Sequence, residues 1–178
     1  MKNIWKASLC ICWLSACTLN LPDPIGDDVE RFMPNVKYDK HSVYTDSNKD
    51  GVVSSGDTIG LQVWLKNTGL SGANYVKATF STTSQYVTSF TPKKDIKYGT
   101  IPAEASKMVG HDGYRGQQTL CTIQFGVSPA TPVDTLIPIY VSVVGSNDRT
   151  WKDTFNVTVS NPSTAHLPTT TATEFTNK

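Results

Sequence analysis

The chain has 178 residues, of which 38% are hydrophobic and 17% are charged, and its formal net charge is +1. This length suits one domain with tails and leaves too little chain for two full cores. A charge this close to zero disfavours a nucleic-acid-binding surface and a polybasic membrane-binding patch, because both need clustered lysine and arginine.

Residues 1–16 have the organisation of a secretory signal peptide. Lys2 and Lys6 form a positive amino-terminal region, and a short apolar run follows over 7–14. The run is too short to span a bilayer, so it does not predict a transmembrane helix. Without this segment the chain carries 14 basic and 15 acidic residues, a net charge of −1.

The sequence Leu14-Ser15-Ala16-Cys17 at the end of this segment resembles the lipobox of bacterial lipoproteins. The resemblance implies that Cys17 is acylated, becomes the first residue of the mature chain and holds the protein on a membrane through its lipid. Thr18 at the next position favours delivery to the outer membrane, with the domain in the periplasm or at the cell surface. An ordinary secretory signal that ends in cysteine is the alternative.

Segments poor in aliphatic residues flank the predicted domain. Residues 17–35 contain three prolines and an acidic cluster, and we predict a flexible tether there. Residues 161–178 are rich in threonine and predict a disordered tail. Of the four cysteines, Cys10 and Cys12 lie in the signal peptide and Cys17 takes the lipid, so Cys121 has no disulfide partner in the mature chain. We predict that Cys121 is a small buried hydrophobe.

The segment from Asp46 to Asp57 has the ligand spacing of a calcium-binding loop. Oxygen-bearing side chains occupy its positions 1, 3, 5, 9 and 12, and Gly51 at position 6 permits a sharp turn with positive φ. Calcium takes hard oxygen ligands, usually including a backbone carbonyl at position 7. The predicted ligands are Asp46, Asn48, Asp50, the carbonyl of Val52, Ser54 and Asp57. A polar turn between strands is the alternative, since turns favour the same residue types.

Strand patterns extend from Val36 to residue 159. Over 59–65, aliphatic residues alternate with Gly60, Gln62 and Trp64, which places Trp64 on the face opposite the predicted core. The other strand patterns lie at 36–44, 75–81, 85–90, 96–101, 120–127, 136–144 and 150–159. No convincing amphipathic helix interrupts them. The sequence therefore predicts an immunoglobulin-like antiparallel β-sandwich of seven or eight strands over residues 36–160.

Residues 104–118 form the longest predicted insertion between strands. His111 and Asp112 lie in it, but the chain has no nucleophile elbow, zinc-binding histidine pair or phosphate-binding loop. We therefore predict that the protein is not an enzyme. If the insertion has a function, Tyr114 and Arg115 suit partner recognition, because both residue types are enriched at interface hot spots.

Three segments together resemble a family of bacterial modules: the Asp46–Asp57 loop, the strand over 59–69 that ends in LKNTG, and YGTIPA over 98–103. Similar segments occur in immunoglobulin-like modules beside secreted peptidases and adhesins, including gingipain-accessory and CARDB-like adhesion modules. The loop also resembles the calcium loop of dockerins, but a dockerin's flanking helices and second loop are absent here, so cohesin binding is not implied. The family resemblance implies a supporting or adhesive role.

These features predict a lipid-anchored module of the cell envelope that contains structural calcium. The module is predicted to bind or scaffold an unknown protein or glycan. The alternative is an enzyme accessory or protease-inhibitor-like protein that uses residues 104–118. Strand alternation points Trp64 and Tyr140 outward, where they could form an apolar partner-binding patch or be covered by a neighbouring strand or by the tether.

Overall fold

The structure, a computed structural model, describes residues 32–110 and 121–161, which form two antiparallel β-sheets that share one core. Nine strands lie in the described residues: β1 (Val36–Asp46), β2 (Thr58–Asn67), β3 (Ala73–Ser81), β4 (Val87–Thr91), β5 (Ile96–Ile101), β6 (Ser106–Met108), β7 (Ile123–Val127), β8 (Leu136–Val144) and β9 (Thr150–Thr158). A 3-10 turn at Ser146–Asp148 precedes β9. The predicted all-β, immunoglobulin-like sandwich is confirmed.

The fold has one strand more than the predicted seven or eight, and this additional strand lies inside the insertion. β6 lies within residues 104–118 and pairs antiparallel with β2, from Trp64 opposite Met108 to Lys66 opposite Ser106. Three residues are too few to show a period of two, so the sequence gives no sign of this strand. It forms because β2 offers unoccupied backbone groups at that position.

The first sheet has the order β1-β2-β7-β4, and the second has the order β5-β3-β8-β9. β7 and β6 pair with successive parts of β2, over residues 58–61 and 64–66. Thr122 bridges the gap between them. Its backbone N–H donates to the carbonyl of Leu61 at 2.7 Å, and its hydroxyl accepts from the N–H of Val63 at 3.0 Å and donates to the carbonyl of Val109 at 2.7 Å. A side chain therefore continues the hydrogen-bond ladder where no strand is present.

The core lies between the sheets and follows the alternation in the sequence. The inward residues of β2 are all fully buried: Ile59, Leu61, Val63 and Leu65. The inward residues of β8 face them from the other sheet with at most 2% exposure: Ile137, Ile139, Val141 and Val143. Burial of these aliphatic faces, at roughly 25 cal/mol per Å² of apolar surface, is the main force that holds the two sheets together.

Cys121 is buried, as predicted, but it lies on the outer face of the first sheet. It is 7% exposed, and its Sγ would lie 3.3 Å from a Cβ added to Gly60. The same added Cβ would lie 2.2 Å from the Oγ1 of Thr45. Gly60 thus leaves a depression that the thiol fills. Alternation along residues 121–127 predicts that Cys121 points inward. The alternation is interrupted at Thr122, because its side chain takes part in the hydrogen bonds beside β2.

The two ends of the sandwich carry different connections. The entry end includes residues 32–36, 67–73, 101–106 and 144–150, and the described chain begins there. The loop end consists of residues 46–58, 127–136 and 158–161. The sequence-derived calcium loop and the start of the carboxy-terminal tail therefore lie at the end opposite the chain's entry.

Asn67 ties the entry end together. It is fully buried, and its Oδ1 accepts the backbone N–H of Asn35 at 3.0 Å and that of Gly69 at 3.1 Å. Its Nδ2 donates to three backbone carbonyls: Ser71 at 2.7 Å, Pro102 at 3.2 Å and Ile101 at 3.3 Å. Gly69 permits the close approach, since a Cβ there would lie 1.9 Å from the carbonyl oxygen of Met33.

An aromatic cluster closes one side of the sandwich, where β1 of the first sheet meets β9 of the second. The ring of Phe155 stacks on Tyr38 at 4.4 Å between centroids and on His41 at 5.0 Å. The Tyr38 hydroxyl lies 2.7 Å from Nδ1 of His41, and the Tyr38 N–H donates to Asp153 at 2.9 Å. Burial lowers the pKa of His41 below its ordinary value.

We expect stability to fall as the pH drops through the range just below 6.5. The unfolded chain takes up a proton on His41 near its ordinary pKa, whereas the folded chain takes it up only at lower pH. The unfolded state therefore binds more protons in that range, and the loss levels off below the folded-state pKa. Urea unfolding between pH 7.5 and 5.0 measures the slope. His41→Phe should flatten it, and an unchanged slope in that variant would refute the assignment.

Candidate functional site

The candidate site is the Asp46–Asp57 loop that joins β1 to β2. Asp46 is the last residue of β1, and Asp57 directly precedes β2. The two strands are paired at this point, with Asp46 opposite Ile59. The hairpin therefore holds the first and last predicted ligands close together, with the rest of the loop wound between them.

The carboxylate of Asp46 organises the first half of the loop. The side chain is only 8% exposed and accepts three backbone N–H groups, from Asn48 at 3.3 Å, Asp50 at 3.0 Å and Gly51 at 3.1 Å. Gly51 has φ of +80°, a conformation that costs glycine little. The chain thus turns around this carboxylate at the position where the sequence predicts a sharp bend.

The carboxylate of Asp57 organises the second half. It is 5% exposed, and its Oδ2 accepts both the N–H of Ser54, at 3.0 Å, and the Ser54 hydroxyl. Its Oδ1 accepts the hydroxyl of Ser47 at 3.1 Å. A buried carboxylate held by several donors has a fixed orientation, so Asp57 presents its oxygens to the interior of the loop.

Asn48 connects the two halves. Its Nδ2 lies 3.2 Å from Oδ2 of Asp50, 3.3 Å from Oγ of Ser54 and 3.3 Å from Oδ2 of Asp57. Three oxygens thus converge on one amide group. With Asp46, the structure brings together all five side chains that the sequence predicts as ligands. Val52 belongs to the same turn, since its N–H donates to Oδ1 of Asp50 at 2.9 Å.

The carboxylates of the loop repel one another. The pKa of Asp46 lies above its ordinary value, mainly because the group is buried, and neighbouring Asp50 and Asp57 raise it further. The N–H groups of Gly51 and Asn48 act in the opposite direction. A bound cation would relieve this repulsion, because it stabilises the ionised form of all three groups.

Carboxylates alone do not form a metal cage here. Within residues 32–110 and 121–161, no three side chains of the histidine, cysteine, aspartate or glutamate types are placed to hold an ion. The loop offers a mixed set instead, with the amide of Asn48 and the hydroxyl of Ser54 beside the carboxylates. Calcium accepts such neutral oxygens, whereas transition metals favour nitrogen and sulfur ligands.

Hydrogen bonds fasten the loop to distant parts of the chain. The N–H of Gly56 donates to the carbonyl of Val127 at 3.2 Å, and the N–H of Val127 donates to the carbonyl of Asp57 at 2.7 Å. The N–H of Ser160, just beyond β9, donates to the carbonyl of Val53 at 2.7 Å. Since β7 and β9 belong to different sheets, the loop links both layers of the sandwich.

Trp64 and Tyr140 both point outward, but they do not form a shared patch. Trp64 lies on the first sheet and is half-buried, with Nζ of Lys40 5.3 Å from its ring centroid and Met108 opposite it on β6. Tyr140 lies on β8 of the second sheet and is 40% exposed. Of the alternatives that the sequence leaves open, the joint patch is therefore not formed, and Trp64 instead has the neighbouring strand β6 beside it. Alternation gives the face of a strand and not the sheet to which the strand belongs.

Several predicted site residues lie outside the described residues. These are Cys17 with the rest of the signal and tether, the tail beyond 161, and His111, Asp112, Tyr114 and Arg115. Their proposed roles stay predictions. Among the residues that the structure describes, no helix is long and apolar enough to cross a membrane.

A groove on the outer face of the second sheet is not predicted by the sequence. Tyr140 lies in it, between β3 and β9. Outward Ser, Thr and Tyr residues recur along these strands and were a possible signal. They did not point to a site, because the same residue types are common on the solvent face of any sandwich.

No protein-family model matches the chain. No curated protein matches it either. Solved structures are similar to it, among them the following two. One is a CARDB domain from Pyrococcus furiosus in complex with di-metal ions, with 18% identity over 71% of this chain and 88% of that chain, at a TM-score of 0.35. The other is a sporulation control protein from Bacillus subtilis, with 14% identity over 72% of this chain and 50% of that chain, at a TM-score of 0.31.

The matched region spans about half the length of the Bacillus protein. Since both TM-scores are below 0.5, the assignment of the fold depends on the strand order and pairing of this chain itself.

Proposed function

We propose that the protein is a lipid-anchored binding or scaffolding module of the cell envelope, with a sandwich stabilised by calcium in the Asp46–Asp57 loop. The observation that carries the calcium assignment is the convergence of Asp50, Ser54 and Asp57 oxygens on the amide of Asn48. The proposal assigns the chain no reaction of its own.

The charge and the shape of the loop support calcium. Three carboxylates place three negative charges around the site, and calcium takes six to eight oxygens in flexible geometry. Rotation of the Asn48 amide would turn its oxygen toward the three oxygens that its nitrogen now contacts. Four converging oxygens repel one another without a cation and bind one favourably. The rotation would also break the hydrogen bond from the Asp50 N–H to Oδ1 of Asn48, which is 3.0 Å long.

The fastening of the loop explains why an ion there would matter for the whole module. An ion that binds only the folded loop stabilises the contacts that the loop makes with β7 and with the chain beyond β9. The ion would therefore strengthen the connection between the two sheets at the loop end. The role of the ion would be structural. The predicted affinity is weak, with Kd about 10⁻⁴ M, as is typical of extracellular calcium sites.

The direction of the chain supports the anchored arrangement. The described chain starts at the entry end, so a lipid on Cys17 would place that end nearer the membrane. Residues 18–31 could span up to roughly 50 Å when extended, at ~3.5 Å per residue. A tether of this length would leave the loop end and both outer sheet faces accessible to a partner.

We expect the Cys17→Ala variant to lose its lipid and its membrane association. Expressed in a Gram-negative host, the wild-type chain should take up radioactive palmitate and partition into detergent. Cys121→Ala is the matched control, since that thiol is buried in the sandwich and should leave labelling unchanged. Labelling that persists in Cys17→Ala would refute the lipoprotein assignment.

A further inference from the structure

Exposed hydrophobic side chains gather at the entry end of the sandwich. Of the nine large hydrophobic side chains that are exposed in the described residues, five lie at this end or within two residues of it. We call these five the apolar tip: Phe32, Met33, Leu70, Tyr75 and Val144. By the same measure the loop end has three, and it also carries the carboxylates of the candidate calcium loop. Apolar side chains that are exposed together mark an interaction surface.

Contacts between the segments make the tip one surface. The Ser71 hydroxyl donates to the carbonyl of Phe32 at 2.5 Å, which holds the segments of Phe32 and Leu70 together. Met33 and Trp151 line one cavity of about 300 Å³, which connects this surface to β9.

Tyr75 and Val144 adjoin the same surface from the second sheet. Gly145 follows Val144, and a Cβ added to it would lie 2.9 Å from the Trp151 ring and 3.5 Å from the carbonyl oxygen of Asn74. The chain after β8 therefore packs closely between Trp151 and the residue before Tyr75. All five side chains of the tip thus belong to one end of the sandwich.

Tyr75 is the most exposed side chain of the tip and has a strained backbone. It is 78% exposed, and its φ is +54°, at a point where the pairing of β3 with β5 shifts register. A bulky residue rarely has a positive φ, because the conformation costs free energy. The bulge thus holds an aromatic ring in solvent at a cost to stability, which favours a role in a contact outside the chain.

The position of the tip favours a lipid bilayer as its partner. The predicted tether, residues 18–31, leads directly from the lipid proposed on Cys17 to Phe32. If these 14 residues behave as a flexible coil, their root-mean-square span is roughly 20 Å. The lipid would therefore hold the tip at high local concentration beside the membrane. No feature of the described residues gives a second copy of the chain a similar advantage.

Charge indicates how the tip would contact the membrane. The segments of the entry end contain two acidic residues and one basic residue, a net charge of −1, whereas those of the loop end contain four acidic residues and one basic residue, a net charge of −3. The entry end therefore has no basic cluster to attract anionic lipids. Its aromatic and aliphatic side chains instead suit insertion at the interface, where amphipathic rings such as that of tyrosine are favoured.

We propose that the apolar tip docks on the bilayer that carries the lipid anchor, with Phe32, Leu70 and Tyr75 inserted among the phospholipid headgroups. This second contact would orient the sandwich so that the loop end faces away from the membrane. The inference rests on the proposed lipid anchor, and it adds a contact that the tether alone does not supply.

The test measures the depth of Trp151 on phosphatidylcholine vesicles. A histidine tag in place of Cys17 holds the mature chain on a nickel-chelating lipid, so attachment does not require acylation. Trp64→Phe leaves Trp151 as the sole reporter in the mature chain. An apolar face buried ~5–10 Å into the interface lies near bromines placed high on the acyl chains. We expect brominated lipid to quench Trp151 at low and at high salt, because apolar insertion is not screened.

A reporter at the loop end is the first control. It combines Trp64→Phe and Trp151→Phe with Leu136→Trp, and its emission should be unchanged by brominated lipid. Trp151 that is not quenched, or a loop-end reporter that is quenched equally, would overturn the proposal.

One substitution at each end tests the side chains themselves. Leu70→Ser should weaken docking by about tenfold or more, because it removes an apolar side chain from the contact. Leu136→Ser is the matched control, since Leu136 is 56% exposed, Leu70 is 45% exposed, and Leu136 lies at the loop end. Equal effects of the two substitutions would contradict the proposal. A dimer in sedimentation equilibrium that Leu70→Ser dissociates would assign the tip to a second copy and refute membrane docking.

Palmitate labelling separates this proposal from the lipid anchor. A wild-type chain that takes up palmitate, with Trp151 not quenched on the vesicles, would refute the tip alone. Quenching on the nickel-lipid vesicles in a protein that takes up no palmitate would refute the anchor and support the tip.

Discussion

Replacing Asn67 with alanine should lower the free energy of unfolding by about 3–5 kcal/mol, the largest effect that we expect from a single polar side chain. The substitution removes contacts with five backbone groups at the entry end, two N–H donors and three carbonyls that share the two hydrogens of Nδ2. Each buried N–H or C=O left without a partner costs about 1–3 kcal/mol, and water entering at the end of the sandwich offsets part of the total.

Chemical unfolding of Asn67→Ala and of the wild type measures this difference. The melting temperature of a sandwich near 125 residues should fall by roughly 10–20 °C. Thr68→Ala is a matched control from the same turn, because the exposed Thr68 hydroxyl makes one bond, to the carbonyl of Asn35 at 3.1 Å. A loss below ~1 kcal/mol in Asn67→Ala would show that these contacts are replaced by water at little cost.

Calcium should raise the melting temperature of the wild-type chain by about 5–10 °C. An ion that binds only the folded loop stabilises the protein by mass action, by about 2.7 kcal/mol when free calcium is ~100 times Kd. For a domain of this size that free energy corresponds to several degrees. Chelator should remove the gain, and magnesium should replace calcium poorly, because it demands tighter octahedral geometry.

Asp50→Ala should abolish the calcium response and cost little stability in chelator. Without an ion, Asp50 accepts the N–H of Val52 but also adds its charge beside Asp46. Asp134→Asn is the matched control: Asp134 lies at the same end with a positive φ that asparagine tolerates, and its loss of charge should leave the calcium response intact. If millimolar calcium leaves the wild-type melting curve unmoved, the loop is a turn without a metal.

Much of the fold could be predicted because the strands carry their own pattern. The alternation in β2 and β8 assigns inward and outward residues correctly, since side chains on successive residues of an extended chain point to opposite faces wherever the strand lies. The candidate loop could be found for a similar reason. Its oxygens are close in the sequence, and a turn with positive φ at Gly51, closed by the pairing of β1 with β2, brings them together.

Features that depend on contacts between distant segments could not be predicted. The sequence indicates Asn67 only as a turn residue, and its burial follows from the carbonyls of residues 101 and 102, which β5 brings to it. β6 exists because part of β2 lacks another partner. Tyr140 has Ser81 and Thr154 beside it only through the pairing of β8 with β3 and β9.

The sequence alone therefore determines the all-β class, the face of most strand residues and the position of the candidate calcium loop, because these depend on backbone geometry over a few residues. The tertiary structure decides which sheet each strand joins, the fastening of the loop to both layers and the existence of the groove. These depend on hydrogen bonds and packing between segments tens of residues apart. The alternation of side chains along a strand has a period of two whichever strand lies beside it, so it does not identify the neighbouring strand.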